Sequence, residues 1–218
     1  MGKDRKKIQK KKAQKTAKQK AKKAQHKRQH GFRTPLALRG ALQGPVHECW
    51  EAVELFDDMR GIGSVLMTRK AEHGQIVLGV FLLDVYCLGI KDAYIRLMPE
   101  AQYRHQLEQI KRGQKLAKTS PERARKLIED TEAYARELGF EPHKDYQGAK
   151  KIFGDIDSGA CQDTFEFGRD GQPLYFAGPY DNERFRKRII RTLTEKCGPD
   201  GFHYVMPPAD LPPDFFER

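Results

Sequence analysis

Residues 75–84 read QIVLGVFLLD, and residues 62–69 before them read IGSVLMTR. Both stretches are apolar and contain several β-branched side chains, and the five residues between them, KAEHG, form a short loop that includes glycine. Two apolar runs joined by such a loop are typical of a β-hairpin. Residues 75–84 lack polar alternation, which predicts a central strand that is covered on both faces. We therefore expect a β-sheet at the centre of the fold.

Patterns on either side of this hairpin extend the sheet and then change to helix. Residues 46–56 form either an edge strand or a short helix, and the strand is favoured. Residues 86–97 either continue the sheet or turn into helix after Lys91 and Asp92. Residues 103–117 are polar with sparse apolar positions, which predicts a surface helix.

The best-marked helix lies between Ser120 and Gly139. Ser120 is a favourable N-cap, Pro121 occupies the first helical position, and apolar residues follow at helical spacing until the glycine. Two further helices are predicted at 145–152 and 181–197, each followed by glycine.

A second hairpin is predicted at residues 165–176, where FEF and LYF flank a D-G turn. Alternation places Glu166 and Tyr175 outward and the other aromatic residues in the core. Alternatively, the aromatic side chains stack on bases, with Arg169 at the tip. The predicted fold class is α+β: a single domain with an antiparallel or mixed sheet, two hairpins and about three helices.

The positive charge of the chain is concentrated at its N-terminus. Residues 1–30 contain 14 Lys and Arg against one Asp, a net charge of +13, whereas residues 31–218 contain 27 basic and 29 acidic side chains, a net of −2. This basic arm is too poor in apolar residues to fold alone, so we expect it to be disordered. The predicted division is the basic arm, a linker at 31–45, an α+β body at 46–205 and an extended Pro-rich tail at 206–218.

A lysine-rich segment of this kind is suited to bind a polyanion. Each phosphate that it neutralises releases a condensed counterion, so the affinity should fall as salt is added. We expect the partner to be RNA, including ribosomal RNA or the ribosome, because folded RNA offers deep channels lined by phosphate. The residues predicted to contact RNA are Lys6, Lys7, Lys10, Lys11, Lys12, Lys15, Lys18, Lys20, Lys22, Lys23, Lys27 and Arg28.

Asp84 is the first candidate for catalysis, because a carboxylate at the end of an apolar strand is costly to bury unless it is paired, protonated or bound to metal. A metal-dependent nuclease or phosphoryl hydrolase could use Asp84 with a second acid from Asp92, Asp155 or Asp157. The alternative is structural: Asp84 accepts hydrogen bonds from a turn or pairs with Lys91.

His143 and Asp145 form a second candidate pair, an imidazole beside a carboxylate at the start of a helix. The structural alternative makes Asp145 an N-cap and His143 a surface residue. The sequence has no nucleophile-elbow or P-loop motif, which excludes a P-loop enzyme. No cofactor is predicted, and a divalent metal belongs only to the nuclease hypothesis. A third hypothesis is an interaction scaffold that docks through residues 214–216.

The cellular setting is predicted from cysteine spacing and hydropathy. Cys49, Cys87, Cys161 and Cys197 lie far apart without a C-x-x-C pair, which favours free thiols in a reducing compartment. No signal-peptide pattern follows the basic N-terminus, and the longest apolar run is too short to span a bilayer. We therefore expect a cytoplasmic protein.

Three segments resemble a group of uncharacterised bacterial proteins. They are GVFLLDVYCLGIKD at 79–92, LGFEPHKD at 138–145 and AGPYD at 177–181. The resemblance covers most of the body, from about Pro45 to Leu193. It implies a bacterial cytosolic setting and transfers no activity and no site residue.

Overall fold

A computed structural model of the chain describes residues 36–57, 59–178 and 181–206. The basic arm, residues 31–35 of the linker and residues 207–218 of the tail lie outside the described residues. Those described belong to one compact unit. Its architecture is α+β, as predicted, with a five-stranded antiparallel sheet flanked by helices.

Helices and strands alternate irregularly along the chain. In order, they are α1 (Leu36–Ala41), β1 (Val46–Ala52), β2 (Ile62–Lys70), β3 (Gln75–Asp84), β4 (Gly89–Pro99), α2 (Glu100–Gly113), β5 (Leu116–Thr119), α3 (Pro121–Glu137), α4 (Tyr146–Ala149), β6 (Leu174–Phe176), α5 (Glu183–Cys197) and β7 (His203–Val205). Short 3-10 turns lie at Glu72–Gly74, Lys150–Phe153 and Ser158–Ala160.

The main sheet has the strand order β4-β3-β2-β1-β5, and every neighbouring pair is antiparallel. The predicted hairpin is confirmed as β2 and β3, with Ile62 opposite Asp84 and Lys70 opposite Ile76. Residues 46–52 form the predicted strand β1, which is not an edge strand because β5 pairs with its other side. Residues 89–99 continue the sheet as β4, so the helical alternative after Lys91 is wrong.

Strand β3 is covered on both faces, as its apolar sequence predicts. Val77 and Phe81 belong to a core that includes residues of α3 and α4. Ile76 and Leu78 belong to a second cluster on the opposite face, which α2 covers with Tyr103 and other side chains. The sheet therefore forms the middle of three layers.

Helix α3 begins and ends at the residues that the sequence indicates. The Ser120 side chain accepts a hydrogen bond from the backbone N–H of Arg123, and Pro121 is the first helical residue. Gly139 follows the helix with a φ of +87°, a left-handed conformation that favours glycine. The buried face comprises Ala124, Leu127, Ile128, Thr131 and Ala135.

The second predicted hairpin is wrong. Its turn exists, because Asp170 and Gly171 both have positive φ and residues 169 and 172 form a bridge. The flanking segments do not pair, since Gly168 N–H donates to Val85 O and Leu174 N–H donates to Tyr86 O. The turn that follows β3 thus takes the hydrogen bonds that a hairpin ladder would need.

Strand β6 instead pairs in parallel with β7, and α5 makes the crossover between them. This arrangement buries Tyr175, which was predicted to point outward. The Tyr175 hydroxyl donates to Asp181 Oδ2 at 2.7 Å, so the buried phenol has a partner. Residue Glu166 is exposed, as predicted.

Several predicted boundaries differ from the structure. The helix predicted at 181–197 begins at Glu183, and Asn182 is its N-cap. The helix predicted at 103–117 ends at Gly113, and residues 116–119 form β5 because they pair with the edge of β1. Asp145 precedes α4 but has helical dihedral angles and makes no capping hydrogen bond with its side chain. Residues 36–41, within the predicted linker, form α1 and bury Leu38. None of the helices in the described part of the chain is long and apolar enough to cross a membrane.

Candidate functional site

Asp84 is held inside the turn that joins β3 to β4. Its Oδ1 accepts hydrogen bonds from the backbone N–H groups of Tyr86 at 3.2 Å and Cys87 at 2.9 Å, and Lys91 Nζ lies 3.7 Å from Oδ2. The residue is 1% exposed, and burial raises its pKa, while Lys91 and the turn amides act in the opposite direction. These contacts confirm the structural interpretation of Asp84.

A register shift in β4 places Lys91 as an extra residue near this turn. Leu82 lies opposite Asp92 and Leu83 opposite Ile90, so Lys91 has no partner of its own in the ladder. A bulge of this kind re-aims the side chain of the extra residue. Here the extra residue supplies the ammonium group that faces the buried carboxylate of Asp84.

Three of the residues predicted for catalysis come together beside the start of β4. His143 Nδ1 lies 3.4 Å from Asp92 Oδ1 and 3.8 Å from Asp145 Oδ2. The backbone N–H of His143 donates to Ile90 O at 2.9 Å, which ties the imidazole to the strand. Asp145 Oδ2 is buried without a hydrogen-bond partner. The cluster thus places one imidazole beside two carboxylates.

The remaining two acids predicted for catalysis lie in separate surroundings. Asp155 contacts Arg69 Nη2 at 3.3 Å, and its own backbone N–H together with Arg69 lowers its pKa. Asp157 accepts a hydrogen bond from the backbone N–H of Gly159 at 2.9 Å and caps a 3-10 turn. Within the described residues, no group of three or more His, Cys, Asp or Glu side chains could hold a metal ion.

The aromatic residues of 165–176 do not form an open stacking platform. Phe165 lies parallel to Phe56 with ring centroids 5.9 Å apart, and Phe167 stacks on Tyr134 at 5.1 Å. They line a cavity of about 800 Å³ whose wall also carries charged side chains of both signs, those of Asp57, Glu166 and Asp170 together with those of Arg123 and Arg169. The aromatic faces are used in packing, as the core interpretation predicts.

All four cysteines are free thiols. Cys49 and Cys87 are buried, and burial raises the pKa of Cys49 to about 12 and also raises that of Cys87. Thiols of this kind are unreactive near neutral pH. These two residues are therefore structural.

Helix α5 carries a basic face in addition to the apolar positions that indicate a helix at residues 181–197. Six basic and two acidic side chains give α5 a net charge of +4, whereas the rest of residues 31–218 contain 21 basic and 27 acidic side chains. The signal in the sequence was the helical spacing of four exposed cations, namely Arg184, Lys187, Arg188 and Arg191. We call these four residues the α5 basic stripe.

The residues predicted to contact RNA lie in the basic arm, outside the described residues. Comparison of the chain with models of protein families, with curated proteins and with solved structures gave no match.

Proposed function

We propose that the protein binds RNA electrostatically through the basic arm, while the α+β body positions the bound RNA or contacts a partner. The observation that carries the proposal is the separation of charge along the chain. Residues 1–30 hold a net +13, and the 188 residues that follow hold a net −2. Such a distribution concentrates the attraction for a polyanion in one short segment.

The composition of the arm supports binding to the backbone rather than to bases. Lysine is a point charge on a flexible stem, and the arm from Lys3 to Arg28 contains no Phe, Tyr or Trp that could stack on a base. Contacts of this type position a protein on nucleic acid without reading its sequence. We therefore expect weak sequence preference and a strong dependence on salt.

RNA, with ribosomal RNA as the prime example, is the polyanion that we propose as the partner. Folded RNA presents grooves and channels bounded by closely spaced phosphates, into which a slender basic segment can extend. A duplex DNA of equal length offers a uniform surface to the same charges. Competition between the two polymers at constant salt tests this preference.

The test measures how two full-length chains and one shortened chain bind a fluorescein-labelled oligouridine over a potassium chloride series. They are the natural chain, a chain lacking residues 1–30, and a full-length chain in which the lysines of the arm are replaced by glutamine. A fourth chain, with these lysines replaced by arginine, keeps the charge and serves as the matched control. Circular dichroism establishes that each retains the fold of the body.

We expect the natural chain and the chain with arginine in place of the arm lysines to bind oligouridine with similar affinity and with steep salt dependence. The logarithm of the binding constant should fall by about 0.7 per neutralised phosphate for each unit of log salt concentration. The shortened and glutamine chains should lose most of both the affinity and the slope. Equal affinity and slope in all four chains would refute the proposal.

A further inference from the structure

Helix α5 presents four cations on one side and an apolar face on the other. Ile189 and Leu193 are buried, whereas the α5 basic stripe lies on the solvent side. Arg184, Lys187, Arg188 and Arg191 stand at positions i, i+3, i+4 and i+7, so that their side chains project from neighbouring positions over about 10 Å of helix. The stripe is thus a linear array of positive charge.

The partners of these cations within the described residues are weak and exposed. Lys187 lies 2.9 Å from Glu183 with side chains 76% and 82% exposed, and Arg191 lies 3.7 Å from Glu195 with similar exposure. Arg188 lies over the ring of Phe185 at 5.1 Å. Exposed ion pairs contribute little to stability, so a phosphate can replace either carboxylate at little loss.

The stripe stands out against the charge of the surrounding body. Apart from α5, residues 31–218 have a net charge of −6, so the +4 of the helix cannot come from a generally basic surface. The helix is also rigid, because the side chain of Asn182 caps it at Phe185 N–H and its apolar face packs in the core. Cations that a packed helix holds in line bind a linear array of anions with less loss of conformational freedom than cations on a flexible segment.

We propose that the α5 basic stripe is a second RNA-binding surface, which contacts two to three consecutive phosphates of the strand that the basic arm binds. The inference rests on the proposed function, since it takes RNA as the occupant. Its chemistry is separate, because the stripe presents mainly guanidinium groups, which can bind phosphate through two parallel hydrogen bonds. The arm supplies attraction, and the stripe fixes where the strand crosses the body.

The test uses full-length protein and the double substitution Arg184→Gln with Arg188→Gln. The matched control, Arg104→Gln with Arg112→Gln, also removes two positive charges from an exposed helical face, that of α2. Binding to labelled oligouridine is measured for both over a salt series. A second readout, acetylation of Lys187 in the natural chain with and without RNA, needs no substitution in α5.

We expect the α5 variant to lose roughly fivefold in affinity and about 1.4 in salt slope, as for the loss of two phosphate contacts on a single strand. The control should change little, and RNA should protect Lys187. If both variants behave alike and Lys187 stays unprotected, the inference about the α5 basic stripe is wrong. The proposal that the basic arm binds RNA still stands in that case, as long as the chain with glutamine in place of the arm lysines loses binding. If the α5 variant loses binding and the chain with glutamine in place of the arm lysines does not, the proposal that the basic arm binds RNA fails, and the α5 basic stripe remains as the RNA-binding surface.

An acidic polypeptide is the competing occupant of this surface. Residues 207–218 of the same chain contain three acidic side chains and one basic one, and a labelled peptide of that sequence serves as the probe. Protection of Lys187 by the peptide, together with no protection by oligouridine, would overturn the assignment to RNA. Protection by oligouridine in the presence of excess peptide supports it.

Discussion

Arg69 provides the sharpest test of how the body is held together. Its guanidinium is nearly buried and donates from Nε to Ile152 O at 2.7 Å, from Nη2 to Phe153 O at 2.7 Å and from Nη1 to Gly44 O at 2.9 Å. The group thus joins β2 to the 3-10 turn after α4 and to the segment before β1. Asp155, with a side chain 95% exposed, is only a minor partner.

The substitution Arg69→Met keeps the apolar stem and removes all of these donors. Two of the acceptors, the carbonyl oxygens of Ile152 and Phe153, take part in buried hydrogen bonds and would lose their partner. A hydrogen bond to a charged group contributes about 1.5–3 kcal/mol, and part of this is offset because methionine is easier to bury than a guanidinium. We expect the free energy of unfolding to fall by about 3 kcal/mol, with a decrease in Tm of about 6–12 °C for a domain of this size.

Urea denaturation followed by circular dichroism measures this change. Arg104→Met is the matched control, because Arg104 pairs with Glu100 on the exposed surface of α2. This substitution should lower the free energy of unfolding by less than about 0.5 kcal/mol. Asp155→Asn should also have a small effect. A decrease of less than about 1 kcal/mol for Arg69→Met would refute the conclusion that the buried carbonyl contacts stabilise the body.

A glycine, a thiol and a carboxylate of the body each give one further prediction. Gly89 and Gly74 both have positive φ, but a Cβ on Gly89 would lie 2.4 Å from a side chain of α3, whereas a Cβ on Gly74 would meet open space. In urea denaturation, Gly89→Ala should therefore lower the free energy of unfolding by at least about 2 kcal/mol more than Gly74→Ala does. Equal effects of the two substitutions would contradict the packing around Gly89. In the native protein at pH 8, Ellman's reagent should leave buried Cys49 unmodified and react with half-buried Cys161, and rapid modification of both would contradict this. Burial raises the pKa of Asp84, so the folded chain keeps the Asp84 carboxyl protonated to higher pH than the unfolded chain does. The contribution of Asp84 to stability is therefore lost as pH rises through its folded pKa. The free energy of unfolding of Asp84→Asn, relative to that of the natural chain, should therefore increase between pH 4 and pH 7, and a constant difference would show that burial does not dominate.

The central part of the fold could be predicted because local and tertiary preferences agree there. Residues 75–84 are apolar at every position but the two ends and the glycine, which suits a strand covered on both faces. Helix α3 begins at Ser120 with a capping side chain and Pro121 after it, so its start depends on neighbours in sequence alone. Both elements have the predicted type and nearly the predicted bounds.

Elements whose partners are distant in sequence could not be predicted in the same way. Residues 174–176 pair with residues 203–205 across α5, and the turn after β3 takes the hydrogen bonds that the nearer segment at 165–167 would have needed. Strand β5 has only four residues and exists because β1 offers it an edge. Tertiary context decides such short strands.

The candidate site shows the same division. The contacts of Asp84 with its own turn and with Lys91 are local, and they could be predicted from the position of Asp84 at a strand end. The meeting of Asp92 with His143 depends on a hydrogen bond between His143 and the beginning of β4, which no spacing in the sequence reveals. The α5 basic stripe was present as a helical pattern of charge, which is visible once the polar face of the helix is considered as well as the apolar one.

Lysine reactivity in the full-length protein is the most direct test of RNA binding through the basic arm. Acetylation of each lysine is quantified by mass spectrometry with and without saturating oligouridine at low salt. We predict that RNA lowers the reactivity of the lysines in the basic arm severalfold, while Lys115 and Lys118, beside and on β5 of the body, keep theirs. Protection of these two body lysines with no change in the arm would contradict the proposal.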